Sequence, residues 1–195
     1  PGATVAILAS GPGMSQAVAD LVADLPCIAI NSTYRLAPRA AMIYAHDERW
    51  WRHAANAQAL QSSALRVGVE AAPGVLTLRD TGMIGFDPAP ACVRTGGNSG
   101  YQAVHVAIHT GARRILLLGY DMRGGHWHGP HPQGLPDPGA GSFLRWAPRF
   151  ATLLPAARAR GCEIINCTPG SAIDAFPIMS LGAALARMQP DRASA

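Results

Sequence analysis

The stretch from residue 94 to residue 122 constrains the fold of this chain more than any other. It begins with a polar, glycine-rich loop and continues with a helical pattern in which Tyr101, Val104 and Ile108 form one apolar stripe. A glycine turn then leads into a second apolar run, residues 115–118. An apolar run without alternation is typical of a strand that is covered on both faces. A helix that leads into such a strand predicts an α/β fold with a parallel sheet.

Polar residues lie at both ends of this helix-strand unit. Asn98 or Ser99 is expected to cap the helix, and Gly100 belongs to a loop whose backbone can come close to a ligand. Asp121 follows the strand directly. Because open α/β sheets bind ligands outside the carboxyl ends of their strands, these residues predict a ligand site at that edge.

The rest of the chain repeats the pattern of a short apolar strand followed by a helix. The predicted strands are residues 4–9, 27–30, 41–45 and 162–166, and the predicted longer helices are residues 14–25 and 142–160. Such units in series favour a mostly parallel sheet with helices on both faces. We therefore expect a single Rossmann-like, doubly wound α/β domain over residues 1–195.

The pattern is weaker in two regions. Residues 64–69 and 74–78 are typical of short strands, whereas residues 79–92 are typical of a loop. Near the end of the chain, residues 173–177 and 180–188 predict two short helices.

The composition excludes several classes of protein. A hydrophobic content of 49% with only 14% charged residues is typical of a well-buried globular protein. No apolar run approaches the roughly 20 residues that cross a bilayer. No signal peptide precedes the first strand, so we expect a cytoplasmic protein. The oligomeric state stays open, with a homo-oligomer as one alternative.

The net charge indicates which ligands the protein could bind, and the cysteine spacing indicates the state of its thiols. The chain has no lysine, and its net charge of +4 comes from arginine, which suits phosphate or carboxylate ligands. No clustered basic stripe is visible, so a nucleic-acid partner is not expected. The four cysteines form no C-x-x-C pair and predict buried free thiols. They are Cys27, Cys92, Cys162 and Cys167.

A glycine turn, residues Ser10, Gly11, Pro12 and Gly13, follows the first strand. A strand, such a turn and a helix begin many nucleotide-binding folds, since the helix N-terminus offers free N–H groups to a phosphate. The dinucleotide fingerprint is absent because Gln16 stands where its third glycine would be. A purely structural turn is the alternative.

Two polar residues follow the next two strands. Asn31 could contact a ribose hydroxyl or a base edge, or it could close a turn. Asp47 could contact a ligand, or it could cap the helix that carries Trp50 and Trp51. Because adjacent tryptophans do not share one face of a helix, at least one of them is expected to meet a loop, a partner or a ligand.

A loop rich in glycine, proline and histidine covers residues 123–141. It carries His126, His128 and His131 and follows a strand end, so it is a candidate lid over a substrate. One of these histidines could act as general base. A metal site is one alternative, for which Asp121 is the only further ligand that the sequence suggests. A loop that serves only for packing is another alternative. His105 and His109 also have the spacing of a metal pair, but helix-face polar residues are the preferred interpretation.

The order of these motifs resembles the bacterial lipooligosaccharide sialyltransferase family and the pterin-diphosphokinase-like proteins that share its Rossmann-type core. In the former, a first strand similarly runs into an Asn-Gly-Pro-Ser turn, and an asparagine follows the second strand. An Asn-Ser-Gly loop precedes a helix, and the next strand ends in Gly-x-Asp. Short phage and prophage proteins also resemble this chain in the pieces Asn-Ser-Gly-Tyr-Gln and Gly-Tyr-Asp-Met. Here the turn is Ser-Gly-Pro-Gly, which lacks one contacting side chain, and the chain is short for an acceptor site.

The resemblance implies a small-molecule nucleotide held by the glycine turn of residues 10–13, by Asn31 and by the loop of residues 98–100. It also implies a lid histidine as base, with Asp121 orienting that histidine, contacting substrate or holding a metal. No set of metal ligands is assigned. The leading hypothesis is a nucleotide-dependent transferase, with glycosyl transfer from a nucleotide sugar to an unidentified acceptor as the preferred reaction.

Two alternatives accompany this hypothesis. One is a diphosphokinase-like enzyme that uses ATP and Mg²⁺, with Asp121 and Asp47 near the metal; Mg²⁺ is not required by the leading hypothesis. The other is a non-catalytic nucleotide-binding phage accessory protein.

Overall fold

The computed structural model describes residues 2–188, and its centre is a parallel sheet of seven strands. The strands of the chain are β1 (Thr4–Leu8), β2 (Cys27–Ile30), β3 (Met42–Tyr44), β4 (Leu65–Gly68), β5 (Leu76–Thr77), β6 (Arg79–Asp80), β7 (Cys92–Val93), β8 (Arg114–Leu118) and β9 (Glu163–Asn166). The main sheet has the order β5-β4-β3-β2-β1-β8-β9, and β6 pairs with β7 in a separate two-stranded sheet. This arrangement confirms the predicted Rossmann-like α/β fold.

Helices connect most of these strands. The α-helices are α1 (Gln16–Asp20), α2 (Glu48–Arg52), α3 (Ala57–Gln61), α4 (Ser99–His109), α5 (Ala140–Trp146), α6 (Leu154–Ala159) and α7 (Leu181–Ala186). Three 3₁₀ helices cover Asn31–Arg35, Ala54–Asn56 and Ala147–Leu153. None of the helices within residues 2–188 is both long and apolar enough to cross a membrane.

Two hydrophobic clusters cover the two faces of the main sheet. Val5 and Ile7 of β1 pack in one cluster, which includes most of α4. Ala6 and Leu8 pack in the other, which includes Ala19 of α1. Because successive side chains of a strand point to opposite faces, both faces must be apolar when both are covered. This explains why the strands show no hydrophobic alternation.

Helix α4 is buried far more completely than the expected single stripe. Ten of its eleven residues are buried. The connection between β6 and β7 covers its outer side, where the Phe86 ring stacks on His105 and the Asp87 backbone N–H donates to His105 Nε2 over 2.9 Å. The segment 79–92 is therefore a structured cover bounded by two short strands, and not a simple loop.

Two predicted helices are shorter in the structure than expected. Helix α1 ends at Asp20, and residues 21–24 form turns. Pro26 disfavours helix at Leu25, the predicted last residue of the helix. The predicted helix 142–160 is divided into α5, a 3₁₀ segment and α6. Pro148 and Pro155 have no backbone N–H to continue an α-helical ladder.

One further prediction was wrong. Residues 173–177 form no helix; this segment is irregular, Asn166 N–H donates to the Pro177 carbonyl over 2.9 Å, and Ile178 forms a bridge with Asn166. The tryptophans of α2 contact the connection between β3 and α2, which is one of the alternatives expected for them. Trp50 and Trp51 are both buried with their rings nearly perpendicular, and Trp51 Nε1 donates to the Ala45 carbonyl.

Candidate functional site

A cavity of about 570 Å³ lies at the carboxyl edge of the main sheet. Its wall includes residues that follow β1, β2, β3 and β8, such as Ser10, Asn31, His46 and Gly119. The N-terminus of α4 and the loop between β8 and α5 complete the wall. Strands β1 and β8 are neighbours in the sheet. From β1 the chain continues to β2 on one side, and from β8 it continues to β9 on the other side. The cavity therefore lies at the switch point where open α/β sheets bind ligands.

Most of the predicted ligand-binding residues come together in this cavity. Those in its wall are Ser10, Gly11, Asn31, Asp47, Asn98, Ser99, Gly100, His126 and His131. Pro12, Gly13, Asp121 and His128 lie next to it but do not line it.

The N-terminus of α4 opens into the cavity. Asn98 is the N-cap, and its side-chain oxygen accepts a hydrogen bond of 2.9 Å from Tyr101 N–H. Ser99 Oγ accepts one of 3.2 Å from His46 N–H. The first N–H groups of a helix have no partner within it, and they carry the positive end of the helix dipole. The buried Asn98 Nδ2 has no hydrogen-bond partner within the described residues. This corner of the cavity therefore presents hydrogen-bond donors to a ligand.

The glycine turn after β1 binds the side-chain carboxylate of Asp121. Gly13 N–H lies 3.2 Å from both carboxylate oxygens of Asp121, which is buried. A Cβ atom at Gly11 would overlap the Asp121 carboxylate and the Gly119 carbonyl oxygen. The turn needs glycine because the strand ends of β1 and β8 approach so closely. The N–H group of Gly13, which was expected to bind a phosphate, therefore donates to Asp121 instead.

A polar network that the sequence did not reveal supports the cavity wall. Tyr44 O–H donates to Gln102 Oε1 over 3.0 Å, and Gln102 Nε2 donates to the Thr95 carbonyl over 2.9 Å. His46 Nδ1 lies 3.2 Å from the same Gln102 oxygen. Because an amide oxygen only accepts, Nδ1 of His46 carries its hydrogen and Nε2 is the free nitrogen. The signal was a glutamine inside an apolar helix, which must find partners when it is buried.

The loop of residues 123–139 is docked on the sheet edge. Trp127 N–H donates to the Ser10 carbonyl over 3.0 Å, and Trp127 Nε1 donates to Thr33 Oγ1 over 3.1 Å. Leu135 packs against the hydrophobic cluster on that side. His53 Nε2 lies 3.2 Å from the Gln133 carbonyl. The expected lid is therefore fastened at several points over the cavity.

The three histidines of this loop pack against one another. The His126 ring lies 4.4 Å from that of His131 and 5.1 Å from that of His128, measured between centroids. Burial lowers the pKa of His128 to about 4, and the two neighbouring rings add to this effect. Burial also lowers the pKa of His131, and His126 adds to it, whereas Asp137 and Asp47 oppose it. The imidazoles of His128 and His131 are consequently uncharged at neutral pH.

The carboxylate beside these histidines is that of Asp137. His126 Nε2 lies 3.6 Å from Asp137 Oδ1, and His131 Nε2 lies 3.9 Å from the same oxygen. The sequence pointed to Asp121 instead, because it stands at a strand end. Asp137 lies in a Pro-Asp-Pro segment of an irregular loop, where no period in the sequence predicts its position.

Two aromatic residues of α5 form another part of the wall that sequence patterns did not identify as functional. Phe143 and Trp146 line the cavity with their rings nearly perpendicular and 5.8 Å apart. They are only partly buried. An aromatic face beside polar donors suits a planar ring such as a nucleobase.

Two non-glycine residues of the wall have left-handed backbone. Asn31 has φ 49° and Met122 has φ 51°. Asparagine tolerates this region, whereas methionine rarely adopts it. Such strain persists where the surrounding structure imposes it, and it is concentrated at binding sites.

Comparison of the chain with models of protein families, with curated proteins and with solved structures gives no match. The likeness to the sialyltransferases and the diphosphokinase-like proteins therefore stays a prediction.

Proposed function

We propose that this protein is a nucleotide-dependent transferase and that a nucleotide sugar is its preferred donor. The observation that carries the proposal is the cavity of about 570 Å³ at the switch point between β1 and β8, into which the N-terminus of α4 opens. The size lies within the range of small-molecule sites, roughly 300–1,000 Å³.

The phosphates of the nucleotide would bind at the N-terminus of α4. Free N–H groups of Ser99 and Gly100, the helix dipole and the Asn98 amide all favour an anion there. Arg123 also lines the cavity and adds a positive charge. The same donors would stabilise the charge that develops on the leaving nucleotide during transfer.

The base and the sugar would occupy the remaining wall. Phe143 and Trp146 offer aromatic faces for stacking, and Asn31 and His46 offer polar groups for the ribose or the base edge. Of the three loop histidines, only His126 and His131 line the cavity. In the leading reaction one of them accepts the proton of the acceptor hydroxyl.

One observation favours a second candidate, pyrophosphoryl transfer from ATP with Mg²⁺. His46, Asp47 and Glu70 each place a ligand atom within 4.8 Å of the other two at the edge of the cavity. Carboxylates at such an edge are the ligands that Mg²⁺ prefers. If the protein binds a nucleotide but turns over neither a nucleotide sugar nor ATP, the third hypothesis applies, a non-catalytic nucleotide-binding protein.

The first test is a thermal-shift screen of the purified protein with CMP, UDP, GDP, ADP and ATP, in EDTA and in Mg²⁺. A ligand at 100 times its Kd stabilises the folded state by about 2.7 kcal/mol, which should raise Tm by roughly 5–10 °C. A shift with CMP or UDP in EDTA supports glycosyl transfer. A shift with ATP that requires Mg²⁺ supports the second candidate.

The variant Asn98→Asp tests where the nucleotide binds. Aspartate caps a helix as well as asparagine does, so the fold should persist, but its charge repels a phosphate. The matched control is Asn98→Ser, which keeps the cap without a charge. We expect the nucleotide-dependent shift to disappear in Asn98→Asp and to persist in Asn98→Ser. An equal shift in both variants would place the nucleotide elsewhere.

A further inference from the structure

Three side chains of the loop between β8 and α5 converge in the cavity wall. His126, His131 and Asp137 each offer one ligand atom that lies within 4.8 Å of the other two. We call these three residues the cavity cluster. Their N–O distances of 3.6 Å and 3.9 Å are too long for hydrogen bonds. They are close to the spacing of about 3.4 Å between two ligands of a tetrahedral ion whose bonds measure about 2.1 Å.

The nitrogens of these histidines have few partners. Both ring nitrogens of His126, Nδ1 of His131 and Nε2 of the neighbouring His128 are buried without a hydrogen-bond partner within the described residues. Buried polar atoms are normally satisfied, so the unpartnered Nε2 of His126, 3.6 Å from the Asp137 carboxylate, suggests a missing ligand. The adjacent carboxylate makes a cation the matching ligand.

We propose that His126, His131 and Asp137 form a binding site for Zn²⁺ in the wall of the cavity. Imidazole and carboxylate together are a common ligand set for this ion, whereas Mg²⁺ prefers oxygen ligands only. Three protein ligands leave a fourth position open, as in catalytic zinc sites. All three residues line the cavity, so the open position faces the space where the substrate would bind.

The backbone holds this ligand set in place before any ion binds. His131 N–H donates to the Asp137 carboxylate over 3.1 Å, so the two residues are already joined. His131 lies between Pro130 and Pro132, and Asp137 lies between Pro136 and Pro138. Proline restricts its own backbone and that of the residue before it. Little conformational entropy would therefore be lost on binding.

The site deepens the proposed function but does not depend on it. With an ion bound, neither imidazole is free to accept a proton, so the role of general base proposed above applies only to the metal-free cavity cluster. The ion would instead polarise a substrate oxygen at the open position. The proposed function requires a nucleotide at the N-terminus of α4, whereas the zinc site requires only the cavity cluster, so each can fail alone.

The test is a titration of metal-free, untagged protein with Zn²⁺ in competition with a chromophoric chelator, with Co²⁺ as a coloured probe. We expect the wild type to bind a single Zn²⁺ and to give the intense visible absorption of tetrahedral Co²⁺. Replacing a ligand by His126→Gln, His131→Gln or Asp137→Asn should weaken binding by more than about 100-fold, beyond the effect of changing outer residues.

Two control variants use histidines outside the cavity cluster. His128→Gln changes the same loop and His109→Gln changes a distant pair, and both should bind Zn²⁺ as tightly as the wild type. Melting of the metal-free variants checks that each is folded. The proposal is overturned if the wild type shows no saturable binding, if ligand variants bind as tightly as the wild type, or if His128→Gln loses as much affinity as they do.

Two variants separate the two proposals. Asn98→Asp should lose the nucleotide-dependent shift and retain Zn²⁺, and Asp137→Asn should do the reverse when the nucleotide is tested in EDTA. Loss of both ligands in either variant would contradict the independence of the two sites.

Discussion

Two groups of histidines in this protein have similar side chains and opposite surroundings. The helix pair, His105 and His109 of α4, packs on the Phe86 ring at 4.4 Å and 4.5 Å between centroids. The Arg160 guanidinium lies over the same ring, 4.2 Å from its centroid. The cavity cluster, in contrast, has the Asp137 carboxylate within 3.6 Å and 3.9 Å of two of its nitrogens and opens to a cavity.

The difference teaches that histidine spacing alone does not identify a metal site. The helix pair has the i, i+4 spacing of many metal ligands, and it too contains buried nitrogens without partners. His105 is nevertheless fully buried with its Nε2 already accepting from Asp87 N–H, and the nearby Arg160 would repel a cation. The cavity cluster has irregular spacing, but a carboxylate and an open path accompany it. Whether a group of histidines can bind a metal ion therefore depends on the charged groups and the solvent access that the fold places beside the imidazoles.

The largest effect we expect is the loss of stability at the helix pair in acid. Burial lowers the pKa of His105 to about 4, and His109 adds to this effect. The unfolded chain then binds a proton that the folded chain does not, between pH 6.5 and 4. The contribution of His105 to the free energy of unfolding is fully present above pH 6.5. It falls by on the order of 3 kcal/mol as the pH is lowered towards 4.

His105→Gln measures this contribution, because glutamine can accept the bond from Asp87 N–H without titrating. Urea unfolding of both proteins between pH 4 and 7 should show a stability difference that shrinks as the pH falls. A constant difference across this range would mean that His105 is protonated equally in both states.

A smaller effect is expected when the Phe86 ring, which contacts both the helix pair and Arg160, is removed. Phe86→Ala should lower the free energy of unfolding by about 2 kcal/mol, less than for a fully buried phenylalanine because Phe86 is only partly buried. Phe86→Leu, which keeps much of the apolar surface, should cost less. Zn²⁺ affinity should be unchanged in both. A parallel loss of Zn²⁺ would show that the two groups are coupled.

The smallest effect concerns the metal-free cavity cluster. Asp137 is 44% exposed, so Asp137→Asn without metal should change the free energy of unfolding by less than about 0.5 kcal/mol. Saturating Zn²⁺ should raise the Tm of the wild type and leave that of Asp137→Asn unchanged. A large loss in the metal-free variant would indicate that the carboxylate holds the loop together and would weaken the contrast with the helix pair.

Patterns that depend on local sequence predicted the framework well. The runs of β1, β2 and β8 predicted buried strands, and Asn98 predicted the start of α4, because period and capping are properties of neighbouring residues. The edge that carries the cavity followed from these assignments, since parallel strands end together. Pro148 and Pro155 were visible signals of a divided helix that the apolar pattern outweighed.

The details of the site depended on contacts between distant residues. Asp121 was expected to face a ligand, but the turn at Gly11 and Gly13 closes around it. Asp137 joins the histidines only because the loop folds back on itself with Trp127 docked under it. Trp50 and Trp51 are both buried because a short helix can place perpendicular rings in the same cluster. Neither capping nor periodicity carries such information.

The order of the strands also has a consequence for synthesis of the chain on the ribosome. Strand β1 is synthesised before the other strands of the sheet, yet one of its edges stays unpaired until β8 emerges about 100 residues later. At translation rates of about 5–20 residues per second, this edge waits for roughly 5–20 s. An apolar strand with an open edge invites pairing with other chains. The nascent protein should therefore need a chaperone most during this interval, before the centre of the sheet is closed.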